Sequence, residues 1–293
     1  YQSLFGALLP LEEVRKLRRP NFKEAEMQIH GKFLELYFAP FTQVSGSGVL
    51  VVLHDVTAQR KNDEMRKEFV ANVSHELRTP LTNVRSYAET IRDTADIPRD
   101  VANSFLDIII GETDRMTHIV QDLLTLSRLD SGRADMKMTR FHFGEAIGSV
   151  CRAVDLDAKR HHHQLLRDYV SEDLPMIIGD RDRVEQVMMN IIGNAIKYTP
   201  DGGTIRVNAG SDRDTVWMEV SDNGIGIPRS EWGRVFDRFY RVDKARSRES
   251  GGTGLGLSIA KEIVQRHGGT IGLVEHQGPG TTIRIVLPIR QDG

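Results

Sequence analysis

Apolar residues are spaced in three different ways along the chain. Over residues 1–56 they come in short runs. GKFLELYFAPF at 31–41 and GVLVVLH at 48–54 are rich in aromatic and branched side chains, with partial alternation, and read as strands. Gly46-Ser47-Gly48 reads as a turn between them. Two or three strands make a poor independent core, so this stretch is expected to be the end of a domain that begins upstream. From residue 57 to 93 the spacing becomes helical: Phe69, Val73, Leu77, Leu81 and Val84 recur every three or four positions. Pro80 falls inside that pattern, where it removes a backbone hydrogen bond and predicts a kink. A second helix is predicted over 99–129 from Phe105, Ile109, Met116, Ile119, Leu123 and Leu126, a seam that Glu112 interrupts once. Two helices joined by a short loop form a hairpin with too little core, which predicts that two chains pair into a four-helix bundle.

Ser131-Gly132 opens a polar linker, after which the two periods alternate. Helices are expected near 143–159, 181–197 and 257–267. Strands are expected near 165–170, 204–209, 214–221, 270–275 and 281–288. That order predicts an α/β sandwich. The expected domains are 1–56, a helical hairpin over 57–130, and an α/β domain over 137–290.

The bulk numbers change little. With 293 residues, 39 basic and 41 acidic side chains and a net charge of -2, nothing calls for a nucleic-acid partner. The single cysteine, Cys151, cannot form an internal disulfide and reads as a packing residue. No run reaches the ~20 apolar residues of a membrane span. The chain does not start with Met, and a membrane anchor upstream of a soluble cytoplasmic fragment is the expectation.

Four segments carry candidate chemistry. On the first long helix, Val73 and Leu77 point one way and His75 roughly opposite, leaving the imidazole outside the seam. A neutral imidazole is a competent nucleophile. Glu76, next to it, can orient or accept a ring proton, and the Thr79 hydroxyl lies one turn on. Along 185–199 (EQVMMNIIGNAIKYT), Val184, Met188, Ile191 and Ala195 share one helical face, while Asn190, Asn194 and Lys197 share another. Carboxamide oxygens suit Mg²⁺, lysine suits phosphate, and Tyr198 could stack on a base. The loop Asp222-Asn223-Gly224-Ile225-Gly226-Ile227-Pro228 allows close backbone approach beside a carboxylate able to accept from an amino group. Residues 251–258 (GGTGLGLS) lead into a helix N-terminus, a natural phosphate site. The basic, aromatic stretch FDRFYRVDKARSR at 236–248, with Arg241, suits a mobile lid. The P-loop pattern is absent. His161-His162-His163 reads as a solvated loop, and His54 as a packing residue.

His75 to Leu81 (HELRTPL) resembles the phosphoacceptor box of bacterial sensor histidine kinases, and the three later segments with their lid resemble that family's N, G1, F and G2 boxes in the usual order. The resemblance covers about residues 57–290 and is nearest to a group in low-GC Gram-positive bacteria. It implies that His75 is phosphorylated from ATP, that Glu76 is the general base, and that Thr79 serves the reverse, phosphatase reaction on a response-regulator receiver domain. ATP would be held by Asn190, Asn194, Lys197, Tyr198, Asp222, Gly224, Gly226, Ile227, Arg241, Gly252, Thr253, Gly254, Leu255, Gly256 and Thr281, with Mg²⁺ on Asn190 and Asn194. It implies a homodimer, and residues 1–56 resemble the end of a PAS-like α+β sensor domain. Two other readings share parts of the pattern: an ATPase of the chaperone or gyrase class, and a non-catalytic dimeric scaffold.

Overall fold

The structure, a computed structural model, describes residues 5, 8–17, 21–43, 46–130, 136–242, 252–275 and 278–289. The chain divides into two compact units, residues 1–73 and 74–293.

In the first unit a short helix α1 (Leu11–Arg15) precedes three strands, β1 (Lys23–Ile29), β2 (Lys32–Gln43) and β3 (Gly46–Asp55), which form an antiparallel sheet in the order β1-β2-β3. His30 and Gly31 both take positive φ, 48° and 77°. They make the two-residue turn that pairs Ile29 with Lys32. Leu36 and Phe38 of β2 are fully buried against Leu9 and Val14, a small core. Two expectations are corrected. Gly46 to Gly48 are not a turn: Gly46 pairs with Gln43 and Gly48 with Phe41 in the β2–β3 ladder. His54 is exposed rather than packed. Strand β1 was not expected. Its sequence, KEAEMQI, alternates charge with small or flexible apolar side chains and carries no aromatic or branched run.

Helices α2 (Thr57–Asp93) and α3 (Arg99–Asp130) match the expected spans closely. Helix α2 runs through Pro80, whose ring is buried. Within the hairpin Ile119, Leu126 and Leu129 are buried, and the Tyr87 and Phe105 rings meet at 5.1 Å. Leu81, placed in the seam by its spacing, is 57% exposed, and Leu106, Ile110 and Leu124 are also out in solvent.

The α/β part carries a five-stranded sheet in the order β5-β7-β8-β10-β9: β5 (Gln164–Asp168), β7 (Thr204–Ser211), β8 (Thr215–Asp222), β9 (Thr270–Leu273) and β10 (Thr282–Pro288). Strands β5 and β7 run parallel, and the other pairs are antiparallel. Alternation sets the register of the core face: Val216, Met218 and Val220 are buried and pair with Leu287, Ile285 and Ile283. Helix α5 (Arg181–Tyr198) packs between α4 (Phe143–Arg160) and α6 (Gly256–Arg266). A small second sheet, β4 (Thr139–His142) with β6 (Met176–Gly179), was not expected; four-residue strands carry too few alternations to be read. Cys151 is buried with a free thiol, raised above its ordinary pKa mainly by burial.

Two histidines join elements of this part. His163 is not solvated as expected: it is buried, and its Nε2 lies 3.0 Å from the Ile196 carbonyl near the end of α5. His267, also buried, donates from Nδ1 to the Ile263 carbonyl (2.8 Å) and accepts at Nε2 from the Asp180 N–H (3.0 Å). Asp180 caps α5 through the Arg183 N–H and holds the Lys137 N–H on its other oxygen. A His267→Leu chain should therefore lose about 1–3 kcal/mol, because it leaves a buried N–H unpaired at the head of α5. Thermal or urea unfolding would measure it, and an unchanged midpoint would contradict this role.

Candidate active site

Helix α5 floors a cleft of about 340 Å³. The helical period explains its orientation: Val184, Met188, Ile191 and Ala195 are buried, which turns Asn190 and Asn194 to the other side, where both line the cleft with Tyr198. The Asn190 amide donates to the Gly256 carbonyl (2.9 Å), so its carboxamide oxygen remains an acceptor. Asp222, the last residue of β8, accepts at Oδ1 from the Gly224 N–H (2.9 Å) and the Thr281 N–H (3.2 Å). One carboxylate thus ties the loop after β8 to the loop before β10. The approach of those loops demands glycine: Gly280 has φ 107°, and a Cβ there would run into the Asp222 carbonyl. Gly226, Ile227 and Thr281 line the cleft beside it.

The opposite wall is the loop into α6. Gly252, Thr253, Gly254 and Gly256 line the cleft, and the α6 N-terminus adds its N–H groups and positive dipole. Gly254 takes φ 71°, and a Cβ on it would come within 2.8 Å of the Phe239 backbone. The Phe239 N–H donates to the Gly254 carbonyl (2.9 Å), which fastens the start of the expected lid to this loop. Gly251 and residues 243–248 of that lid lie outside the described residues.

Three expected residues do not line the cleft. Leu255 is fully buried beneath the loop, its N–H on the Thr253 hydroxyl. Gly224 shapes the turn, where a Cβ would strike the Tyr198 carbonyl. Lys197 sits beside Gly252 with Nζ 5.1 Å from the centre of the Tyr198 ring. Burial, then the Arg241 and Arg115 cations, lower its pKa to about 8.

His75 is exposed on α2, and the Thr79 hydroxyl donates to the His75 carbonyl at 3.3 Å. Glu76 is held from two sides. Arg241 donates to Glu76 Oε2 at 2.8 Å and also to the Gly252 carbonyl, and Arg115 of α3 reaches the same Oε2 at 3.2 Å. Helix α3 also enters the cleft directly. Asp122 lines it and accepts from the Thr253 hydroxyl at 3.1 Å, and burial pushes its carboxyl above the ordinary range. Farther along, Arg238 bonds both oxygens of Asp130, and Arg266 donates to the Leu129 carbonyl. Sequence reading missed Asp122 and Arg115, because a polar residue on an amphipathic helix carries no mark of what docks on it. It also missed the apolar wall residues Val235 and Ile283, which belong to no motif.

Such a cleft suits a nucleotide: apolar walls for a base, a fixed carboxylate, glycine-lined backbone, and carboxamide oxygens with cations near the far end. Among the described residues no group of His, Cys, Asp or Glu could hold a metal ion. A cation would rest on the carboxamide oxygens of Asn190 and Asn194 together with the phosphates, as Mg²⁺ commonly does.

Residues 179–291 match the family described as histidine kinase-, DNA gyrase B-, and HSP90-like ATPase, and residues 65–132 match the His Kinase A (phospho-acceptor) domain. Over 84% of its length the chain is 44% identical to the sensor histidine kinase WalK of Bacillus subtilis, and over 97% it is 39% identical to the sensor protein kinase WalK of Staphylococcus aureus. It spans 40% of the first relative and 69% of the second. The fold resembles that of the histidine kinase ThkA solved in complex with response regulator protein TrrA (TM-score 0.63, 24% identity, 92% of this chain and 79% of that one). It also resembles the histidine kinase AdeS of Acinetobacter baumannii (TM-score 0.60, 24% identity, 74% and 98%).

Proposed function

The chain belongs to the sensor histidine kinases, and from that membership we propose that it is an ATP-dependent protein-histidine kinase that phosphorylates its own His75 and passes the phosphoryl group to an aspartate of a response-regulator receiver domain. The observation that carries this is the double engagement of Arg241, a cleft residue that holds both the Gly252 carbonyl and the carboxylate beside His75. It ties the nucleotide end of the α/β part to the phosphoacceptor segment.

In this reading Asp222 takes the adenine amino group, and the Tyr198, Ile227 and Ile283 side chains enclose the base. The phosphates lie along the Gly252–Gly256 loop and the α6 N-terminus. Asn190 and Asn194 would hold a Mg²⁺ ion, which would supply charge neutralisation along the phosphates. One ring nitrogen of His75 forms a bond to the γ-phosphorus as the bond to the ADP oxygen breaks, and the proton on the other nitrogen passes to Glu76. Lys197 and Arg241 offset the negative charge on the transferred group. Thr79, one turn along the same face, orients water in the reverse reaction on the phosphorylated regulator.

The exposed Leu81, Leu106, Ile110 and Leu124 support a second chain packing on the hairpin as a four-helix bundle. We assign residues 57–130 to dimerisation and phosphoacceptance, 137–290 to catalysis, and 1–56 to the end of a PAS-like sensor domain. No helix of the described residues is long and apolar enough to cross a membrane. The need for ATP supports a cytoplasmic place for this part, with the anchor of the whole protein upstream.

Lys197 gives a pH signature. Its lowered pKa means that the free protein holds this proton only in part at pH 8. A bound polyphosphate favours the charged ammonium, so ATP binding at pH 8 should take up protons. Affinity should then fall as pH rises from 7 to 9. Calorimetry in two buffers of different ionisation enthalpy measures the uptake. Lys197→Arg should abolish it, and an identical apparent enthalpy in both buffers would refute the assignment.

The reading is tested by incubating the chain with γ-labelled ATP and Mg²⁺. The expected label is acid-labile and alkali-stable, as a phosphohistidine is, and chases onto a receiver domain. ATP hydrolysis with no label on the protein would favour the chaperone-class ATPase, and neither hydrolysis nor label would favour the scaffold.

A further inference from the structure

Glu112 is the one residue that breaks the apolar seam of α3, and the reaction described above gives it nothing to do. In the structure its Oε1 accepts from the Asn83 amide of α2 at 2.7 Å, and its buried Oε2, with no hydrogen-bond partner among the described residues, lies 3.9 Å from Arg115 Nη1, one turn along α3. Arg115 reaches back across the hairpin to Glu76 Oε2. The side chains of Glu112, Arg115 and Glu76 are 17%, 14% and 24% exposed. A half-buried row thus runs Asn83, Glu112, Arg115, Glu76 and ends on the carboxylate beside His75. A carboxylate in a hairpin seam, largely shielded from water, is costly unless something fixes and uses it.

We propose that Arg115 is a positioning residue for phosphorylation of His75, holding the Glu76 carboxylate in place as proton acceptor, with the Glu112 carboxylate, itself held by Asn83, setting the charge that faces the Arg115 guanidinium. This rests on the kinase reading and adds a residue to it. Arg241 and Arg115 share one oxygen of Glu76 but differ in kind. Arg241 belongs to the cleft and leaves with it, while Arg115 stands on the same hairpin as His75 and Glu76 and stays. When a γ-phosphate draws Arg241 off Glu76, Arg115 alone keeps the carboxylate from swinging into solvent. As His75 attacks the phosphorus and ADP leaves, the ring proton then meets a Glu76 oxygen already in reach. A guanidinium suits this because one of its nitrogens bonds Glu76 while another faces the Glu112 carboxylate at 3.9 Å.

The test is initial-rate autophosphorylation of the full chain with γ-labelled ATP and Mg²⁺. Arg115→Ala is expected to lower kcat about 10- to 100-fold, a fraction of what a positioned base contributes, with KM for ATP changed less than about twofold. Arg115→Lys should recover part of the rate, and Glu112→Gln should lose part of it. In a Glu76→Gln background, Arg115→Ala should cost nothing further, because what it positions is gone. An unchanged kcat overturns the proposal. So does a loss carried mainly by KM, which would put Arg115 on the nucleotide, and so does an equal loss in the Glu76→Gln background, which would make it structural. If thermal unfolding shows that Arg115→Ala does not fold, Arg115→Lys and Glu112→Gln decide by the same criteria. A wild type that takes no label overturns the kinase reading and this proposal with it; a wild type that labels no faster than Arg115→Ala overturns the proposal alone.

Discussion

A His75→Ala chain should carry no label after incubation with γ-labelled ATP and Mg²⁺, while its affinity for ATP stays within about twofold of wild type. The two halves of this expectation have separate grounds. His75 is exposed on α2 and does not line the cleft, so the substitution leaves every cleft contact in place. Alanine is also the best helix former, and the Thr79 bond goes to the backbone carbonyl of residue 75, which remains. The helix should therefore persist, as circular dichroism would report. Gel autoradiography and a fluorescent-nucleotide titration read the two quantities. Residual label at a similar rate would move the acceptor to another side chain. A large loss of affinity would place the imidazole in the nucleotide site itself.

Asp222→Ala should raise the Kd for ATP by about 100-fold or more. The wild-type carboxylate accepts two backbone N–H groups, from Gly224 and Thr281, on a single oxygen. Hydrogen bonds to a charged acceptor are worth about 1.5–3 kcal/mol each, so about 3–6 kcal/mol holds the two loops together, and 2.7 kcal/mol of it already corresponds to about 100-fold in binding. Any direct bond from the carboxylate to the base adds to the loss. Asp222→Asn keeps an acceptor oxygen for the N–H groups at lower strength, and should fall between the two. Nucleotide titration of the three proteins gives that order. Equal affinity for wild type and Asp222→Ala would show that the loops hold their places without the carboxylate.

How far the sequence could be read depended on the length of each pattern. The two long helices and α5 repeat their period several times, and their ends came within a residue or two. Strands β4 and β6, four residues each, offered no period to see. Residues on the cleft's motifs, such as Asn194, Asp222 and Gly254, were legible because glycine and carboxamide positions are constrained by backbone approach and ligand chemistry. Leu255 was swept in with them, since a motif does not say which of its side chains turns inward. Asp122 and Arg115 could not be found at all. The meaning of Asp122 depends on how the α/β part lies against α3, and that of Arg115 on how α3 lies against α2; both contacts are polar pairs, such as Thr253 to Asp122 and Arg115 to Glu76, with no local signature. Glu112 was visible as an interruption, yet only the row from Asn83 to Glu76 says what it interrupts for.

The presence of Asp122 in the cleft wall has a pharmacological consequence. A compound built on the base pocket alone would engage the α/β part in any posture. One that also extends an amine or amidine to Asp122 would gain that contact only while α3 lies against the Thr253 loop. Its affinity would therefore differ between postures, and mass action would shift the population toward the docked one. Such an inhibitor would act as a conformational trap rather than a simple competitor. Because its second anchor lies on the hairpin, it would also discriminate against ATPases that share the nucleotide fold but have no such helix beside it.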